Sequence, residues 1–222
     1  MKTLIKDVVV EDLPPVFLIK LIDLMSNVYR DAKVKTDEGL GLSTKGVDFV
    51  MPYVRCAKAD DALYQAGCEA GMNTTVEKAV SGAHQYSLVQ SGRLSLTISY
   101  VCGQGALPRP SKHRSQYSEL NEHLSQRSLF DLDDDVMRPA ANDGDIYGVI
   151  LHGTDPCDDT LPGFLRIGFP NQNFTAYEEI IDLHDVHDAQ SLRYRKPDID
   201  VHEQYQIIEP TLKTMDEAKE ED

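Results

Sequence analysis

Apolar residues in the first thirty positions recur at helical spacing. Phe17, Leu21, Leu24 and Val28, beside Leu18, Ile22, Met25 and Tyr29, predict a helix from about Pro14 to Arg30. Pro14 and Pro15 suit its first turn, and Glu11 and Asp12 precede its positive end. Its apolar arc is wide, so the helix is expected to be buried on more than one side. From Ala32 to Gly46 the chain turns polar and gains Gly39, Gly41 and Gly46, which predicts a long loop. Residues 47–55 read as a short extended segment interrupted by Pro52. Asp60 and Asp61 cap a modest helix through about Cys68. Thr74 with Glu77 forms a capping box for another helix running toward Val80.

The period changes from 3.6 to 2 after Gly92. In Arg93–Val101, Leu94, Leu96, Ile98 and Tyr100 alternate with Arg93, Ser95, Thr97 and Ser99, the clearest strand in the chain. Ile146–Leu151 is apolar on both faces and is followed by Phe164–Phe169 after a Gly/Pro/Asp turn region, so the two are expected to pair as a hairpin. Thr175–Leu183 offers one more extended segment. A helix from about Ser115 to Leu129, packing through Tyr117, Leu120 and Leu124, separates the first two strands. Together these predict an α+β fold, with a mainly helical N-terminal part (about 1–90) packed with a mostly antiparallel sheet of about four strands (about 91–208). The expected organisation is a single domain over 1–208 followed by an acidic flexible tail over 209–222.

Charge divides the same chain differently. Residues 1–110 hold 12 Lys/Arg against 12 Asp/Glu, and residues 111–222 hold 10 against 25, so the whole net charge of −15 belongs to the second half. Such a field governs partners and encounter rates and not the fold. It makes a membrane surface or an extended duplex DNA footprint a poor partner and a basic protein surface a good one. With 41% hydrophobic and 27% charged residues the chain can bury a core without disulfides. Cys56, Cys68, Cys102 and Cys157 form no C-x-x-C pair, and no apolar run is long enough for a signal peptide or a membrane span. A cytoplasmic protein with reduced thiols is the expectation.

Four segments carry candidate chemistry. Gly103–Arg114 follows the best strand and places Arg109, Lys112, His113 and Arg114 within six residues at a helix start, an arrangement suited to a phosphate or carboxylate. It lacks the spacing of a phosphate-binding loop or a dinucleotide fingerprint. These cations also suffice to balance Asp131, Asp133, Asp134 and Asp135. That acidic run opens like a calcium loop, but Val136 and Asn142 stand where such a loop needs glycine and glutamate, so it reads instead as a solvated connection or a docking surface for a basic partner. His184 and His187 would share a helix face, beside Asp182, Asp185 and Asp188, yet without a metalloprotease-type pattern, and no metal is assigned. His152 ends a strand. Were it near the basic loop, His152 or His113 would serve as acid or base while Arg109, Lys112 and Arg114 held a phosphate.

Two functions follow from the sequence. The first is an acidic interaction protein (an inhibitor, an antitoxin-like partner or an accessory subunit) docking a basic partner through the C-terminal half, with Asp131, Asp133, Asp134 and Asp135 as contact residues. The alternative is a phosphate-substrate enzyme, a ribonuclease or nucleotide hydrolase, using loop 109–114 and His152 on a small or single-stranded ligand. The residues identify no cofactor.

Overall fold

The computed structural model describes residues 5–39, 41–79, 85–124 and 145–194. Two compact units are distinguished, Met1–Asp188 and Ala189–Asp222; of the second, residues 189–194 are described, as helix. In chain order the elements are α1 (Ile5–Asp12), α2 (Pro15–Gly39), α3 (Thr44–Glu69), β1 (Asn73–Lys78), β2 (Gln85–Ser91), β3 (Leu94–Tyr100), α4 (Lys112–Ser118) with a 3-10 turn (Glu119–Asn121), β4 (Ile146–Thr154), β5 (Pro162–Pro170), β6 (Tyr177–Asp182) and α5 (Leu183–Tyr194). The fold is α+β, with helices first and a sheet after them. No described helix is long and apolar enough to cross a membrane.

The sheet has six strands in the order β1-β2-β3-β4-β5-β6. It is mostly antiparallel, as expected, but has six strands among the described residues where about four were expected, and β3 and β4 pair in parallel, from Leu94↔Ile146 to Tyr100↔His152. Residues 101–145 make this possible: a parallel neighbour requires the chain to return to the starting end of the sheet, and that connection is long enough to do so. Every other pair is antiparallel, including the β4–β5 hairpin expected from the sequence.

Four local expectations are overturned, one of them that Asp60 and Asp61 cap a helix: both lie in the interior of α3. The polar stretch after Ala32 continues α2 to Gly39, because Met25, Val28, Tyr29, Ala32 and Thr36 form one buried stripe at helical spacing. The Thr36 hydroxyl donates to the Ala32 carbonyl at 2.5 Å, satisfying a polar group inside that stripe. Residues 47–55 are helical and not extended. Ser43 caps α3, and Met51, Arg55, Ala59, Ala62 and Ala66 line its inner face, which outweighs the backbone bond that Pro52 cannot make. Thr74 and Glu77, read as a capping box, lie in β1. The β-branched run Thr74-Thr75-Val76 pairs with β2, and Gly71, at φ 70°, turns the chain out of α3. Two strands therefore fall within the part expected to be helical, and β2 is buried on both faces from Tyr86 to Val89.

The alternation of β3 is present, but both of its faces are covered. α3 packs on β1, β2 and β3 and α2 on β5, over Leu94, Leu96, Ile150, Ile167 and Phe169. On the opposite face Val101, Tyr147, Val149 and Leu151 form a second core with Tyr117, Phe164, Phe174 and Tyr177. Ser95 and Thr97, on the polar side of β3, are buried there as well, and the Thr97 and Tyr147 hydroxyls share a hydrogen bond of 2.7 Å. The helix expected over 115–129 starts earlier, at Lys112, and tightens into the 3-10 turn; residues 125–129 lie outside the described region. This shift leaves Leu120 exposed at 37% and buries Asn121 in the position a packing residue was expected to take.

Asn121 fastens the second layer. Its amide nitrogen donates to the carbonyls of Tyr147 (2.9 Å) and Pro170 (2.7 Å), and its oxygen accepts from the Tyr147 N–H (2.8 Å), so one side chain brackets β4 and the end of β5. At the far end of the sheet α1 is held by Asp12, whose carboxylate accepts from the Arg93 N–H and side chain in the β2–β3 turn. Gly92 makes that contact possible: its φ is 53°, and a Cβ there would lie 2.6 Å from Asp12 Cγ. Asn121→Ala strands three buried backbone groups and is expected to cost roughly 2–4 kcal/mol in urea unfolding; a loss within error of zero would mean that water or a local shift replaces the bracket.

Candidate functional site

Parallel strands β3 and β4 end side by side, and polar side chains collect at that end on both faces of the sheet. Ends of this kind are where α/β proteins commonly mount ligand sites, because the strands stop and loops diverge. On the helix-covered face lies His152, fully buried. Its Nδ1 is hydrogen-bonded to the Tyr29 hydroxyl of α2 at 2.9 Å, and the rings of Tyr29 and Tyr100 meet it edge-on at 5.9 and 5.7 Å. Its Nε2 is buried with no hydrogen-bond partner among the described residues. Burial, and secondarily the positive charge of Arg55, push the imidazole pKa down to about 3. His152 is thus neutral at physiological pH.

Arg55, on the inner stripe of α3, is the cation of this cluster. It donates through Nη1 to Thr154 Oγ1 (3.1 Å) and through Nη2 to the Asp159 carbonyl (2.6 Å), and its guanidinium lies 5.0 Å from the Tyr29 ring centre. The Asp159 carboxylate stands 4.0 Å away and binds Lys33 of α2 more closely, at 2.5 Å. The Tyr100 and Thr154 hydroxyls close the rim at 3.3 Å. Burial raises the Tyr29 phenol pKa above its ordinary value, so it too stays neutral. Loop 155–161 is tied down by the same residues and by its own turns, in which Asp155 accepts from the Cys157 and Asp158 N–H groups.

The cationic loop lies on the other face. Ser111 precedes α4, and the guanidinium of Arg114 donates to Ser99 Oγ (3.0 Å) and to the Arg109 carbonyl (2.9 Å). Burial lowers its pKa. His113 is buried, stacked on Tyr86 at 4.0 Å, with Nε2 3.4 Å from Ser111 Oγ. Arg109 and Lys112 are exposed. Side-chain alternation puts Ser99 and His152 on opposite faces, since His152 is registered with Tyr100. The structure therefore brings Arg109, Lys112, His113 and Arg114 into one segment and separates them from His152 by the sheet.

Asp131, Asp133, Asp134 and Asp135 lie outside the described residues. His184 and His187 do share α5, where His187 Nδ1 lies 3.3 Å from the Asp188 carboxylate. Among the described residues no group of three or more His, Cys, Asp or Glu side chains could hold a metal ion. The four cysteines are free and exposed. Tyr29, Arg55, Tyr100, Thr154 and Asp159 belong to the His152 cluster and were not singled out in the sequence. The available signal was Arg55, one turn from Met51 and from Ala59, once that stretch is read as helix. None of the family models, curated proteins or solved structures compared with this chain matches it.

In this structure His152 is a buried, neutral ring bonded to Tyr29. A neutral ring sealed between α2 and β3 has no route to a solvent-borne substrate in this conformation, and it ties α2 to β4 through Tyr29. Two results are expected. Because the folded pKa lies below the ordinary value of 6.5, the unfolded chain binds the extra proton first as pH falls, so stability declines from about pH 6.5 toward pH 3 by at most about 1.4 kcal/mol per pH unit from this group. His152→Gln should flatten that part of the stability–pH curve measured by urea unfolding; an unchanged slope would mean the imidazole is protonated in the folded protein. Tyr29→Phe leaves Nδ1 buried without a partner and should cost about 1–3 kcal/mol at neutral pH, and a loss below 0.5 kcal/mol (about the scale of an ordinary surface substitution) would show that the bond is dispensable.

Proposed function

We propose that this protein is a non-catalytic interaction protein that docks a basic partner surface through its acidic C-terminal half, as an inhibitor, an antitoxin-like partner or an accessory subunit. The observation that carries this reading is the confinement of the −15 charge to residues 111–222. Charge so placed accelerates encounter with a basic surface and penalises acidic competitors. The burial and neutrality of His152 support the same reading, since they withdraw the most plausible acid–base group from solvent. Asp131, Asp133, Asp134 and Asp135 are the proposed contact residues, and solvated Asp185 and Asp188 on α5 add to the same field.

The phosphate-substrate reading keeps two exposed cations, Arg109 and Lys112, but Arg114 is engaged with Ser99 and the Arg109 carbonyl, and His152 lies across the sheet. A small anion held by Arg109 and Lys112 is therefore better supported than turnover. One experiment separates the two. Full-length protein is used to capture partners from an extract at low and high salt, alongside a variant carrying Asp131→Asn, Asp133→Asn, Asp134→Asn and Asp135→Asn. In parallel, thermal shift with a nucleotide and short-RNA panel compares wild type with Arg109→Ala/Lys112→Ala. The expected outcome is a basic protein retained at low salt, lost at high salt and lost in the neutralised variant, with no nucleotide-dependent shift. A retained partner that ignores the four substitutions overturns the assignment of those residues. Nucleotide stabilisation abolished by Arg109→Ala/Lys112→Ala, with no basic partner captured, overturns the interaction reading in favour of a phosphate ligand.

A further inference from the structure

β6 is shorter than the strand beside it. Its ladder with β5 ends at Arg166↔Asp182, so among the described residues Pro162–Leu165, which still pair with β4, have no strand on their other side. The chain instead turns into α5, and beside this edge lies a cavity of about 300 Å³ lined by Ile22 of α2 and by Leu161, Phe164 and Leu165. This is the small end of the range for ligand pockets, roughly 300–1,000 Å³. One ion pair lies in its wall: Arg166 Nε donates to Asp182 Oδ2 at 3.3 Å, while Asp182 Oδ1 accepts the His184 N–H at 3.1 Å. Arg166 makes no other hydrogen bond among the described contacts, which leaves its two terminal nitrogens, the fork that fits a carboxylate, available.

We propose that this notch binds a small α-amino acid with an apolar side chain. The carboxylate meets the terminal nitrogens of Arg166, the ammonium faces the Asp182 carboxylate, and the side chain lies against Ile22, Leu161 and Phe164. Charge favours a zwitterion over a simple anion. The wall carries one positive and one negative group, and an anion would also have to enter the field of a chain bearing −15, whereas a zwitterion does neither net work against the field nor leaves one member of the pair uncompensated. The proposal uses none of Arg109, Lys112 or Asp131–Asp135, so it does not rest on the partner-docking reading.

The test is calorimetric titration of the full chain with L-leucine and L-phenylalanine, against L-leucinamide, which lacks the carboxylate, and 4-methylpentanoate, which lacks the ammonium. Saturable binding of at least one amino acid is expected, weakened about tenfold or more for each single-headed analogue. Arg166→Gln should abolish the preference for leucine over leucinamide, and Asp182→Asn the preference for leucine over 4-methylpentanoate. Ile22→Trp, which fills the cavity and keeps the ion pair, should abolish binding altogether, with unfolding midpoints confirming that each variant is folded. Absence of heat with both amino acids up to about 10 mM, a ceiling that corresponds to less than about 3 kcal/mol of binding, overturns the proposal. So does binding that survives both Arg166→Gln and Ile22→Trp. Neither result bears on capture of a basic partner.

Discussion

The parallel ladder between β3 and β4 constrains everything around it. A parallel pair forces a crossover, and residues 101–145 supply it, placing α4 on the sheet face opposite α2 and α3. With layers on both faces the central strands can present no solvated side, which is why β4 is apolar on both faces and why the serine and threonine side of β3 needs internal partners. Gln90, Tyr147 and Arg114 are those partners: Ser95 accepts from Gln90, Thr97 bonds Tyr147 and Ser99 accepts from Arg114, while Asn121 brackets the β4 backbone. Without the crossover these polar groups would face water and require none of this.

Polar groups buried by such an arrangement specify geometry more than they add net stability, because each hydrogen bond replaces one made to water and each unpaired group costs more than a made bond returns. The His152 cluster follows that logic. Tyr29 can approach β4 only in the position that satisfies Nδ1, and Arg55 can be buried only where Thr154 and the Asp159 carbonyl meet its fork. Together they set how α2 and α3 lie across the strand ends and hold loop 155–161 against them. Asp159 is shared by Lys33 and Arg55, so one loop residue is fastened to both helices. The remaining unsatisfied atoms, His152 Nε2 and Arg55 Nε, are the cost of placing two nitrogen-rich side chains in a space that also has to hold two tyrosine rings.

Periodicity made part of this legible. Alternation in Arg93–Val101, the two-faced apolar run from Ile146 and the stripe through Phe17, Leu21 and Val28 correspond to β3, β4 and α2, each defined by contacts that the period itself encodes. What failed was reading composition in place of period. Ala32–Gly39 looked like a loop because it is polar, although Ala32 and Thr36 continue the stripe of Val28 and Tyr29. Pro52 suggested an interruption, yet Met51, Arg55 and Ala59 keep helical spacing across it. Thr74 and Glu77 matched a cap whose competitor, strand pairing with residues 85–90, is non-local and invisible in a short window. The candidate site was legible in the same proportion. That His152 ends a strand followed from sequence; that a second strand ends beside it, and that the sheet separates it from Arg114, depended on the register Tyr100↔His152, which only the parallel pairing decides.

The charge asymmetry takes on a sharper meaning beside this fold. In the first half the cations act as fasteners within the body: Arg93 on Asp12 and Glu11, Lys58 on Asp31, Lys20 on Glu69, and Lys33 and Arg55 on Asp159. Residues 1–110 hold 12 positive and 12 negative charges, so each positive group lent to the second half, as Lys33 and Arg55 are to Asp159, leaves an acid of the first half uncompensated. The 10 positive groups of the second half cannot neutralise its 25 acids, and one of them, Arg114, is already engaged with Ser99 and the Arg109 carbonyl. No rearrangement of internal pairs removes the surplus. It has to be carried by solvent and counterions or by another molecule, and a surplus of this size on one half repels itself without stabilising the fold. A basic partner of the proposed kind would relieve that repulsion on binding, a favourable contribution that owes nothing to apolar contact and weakens as salt screens it.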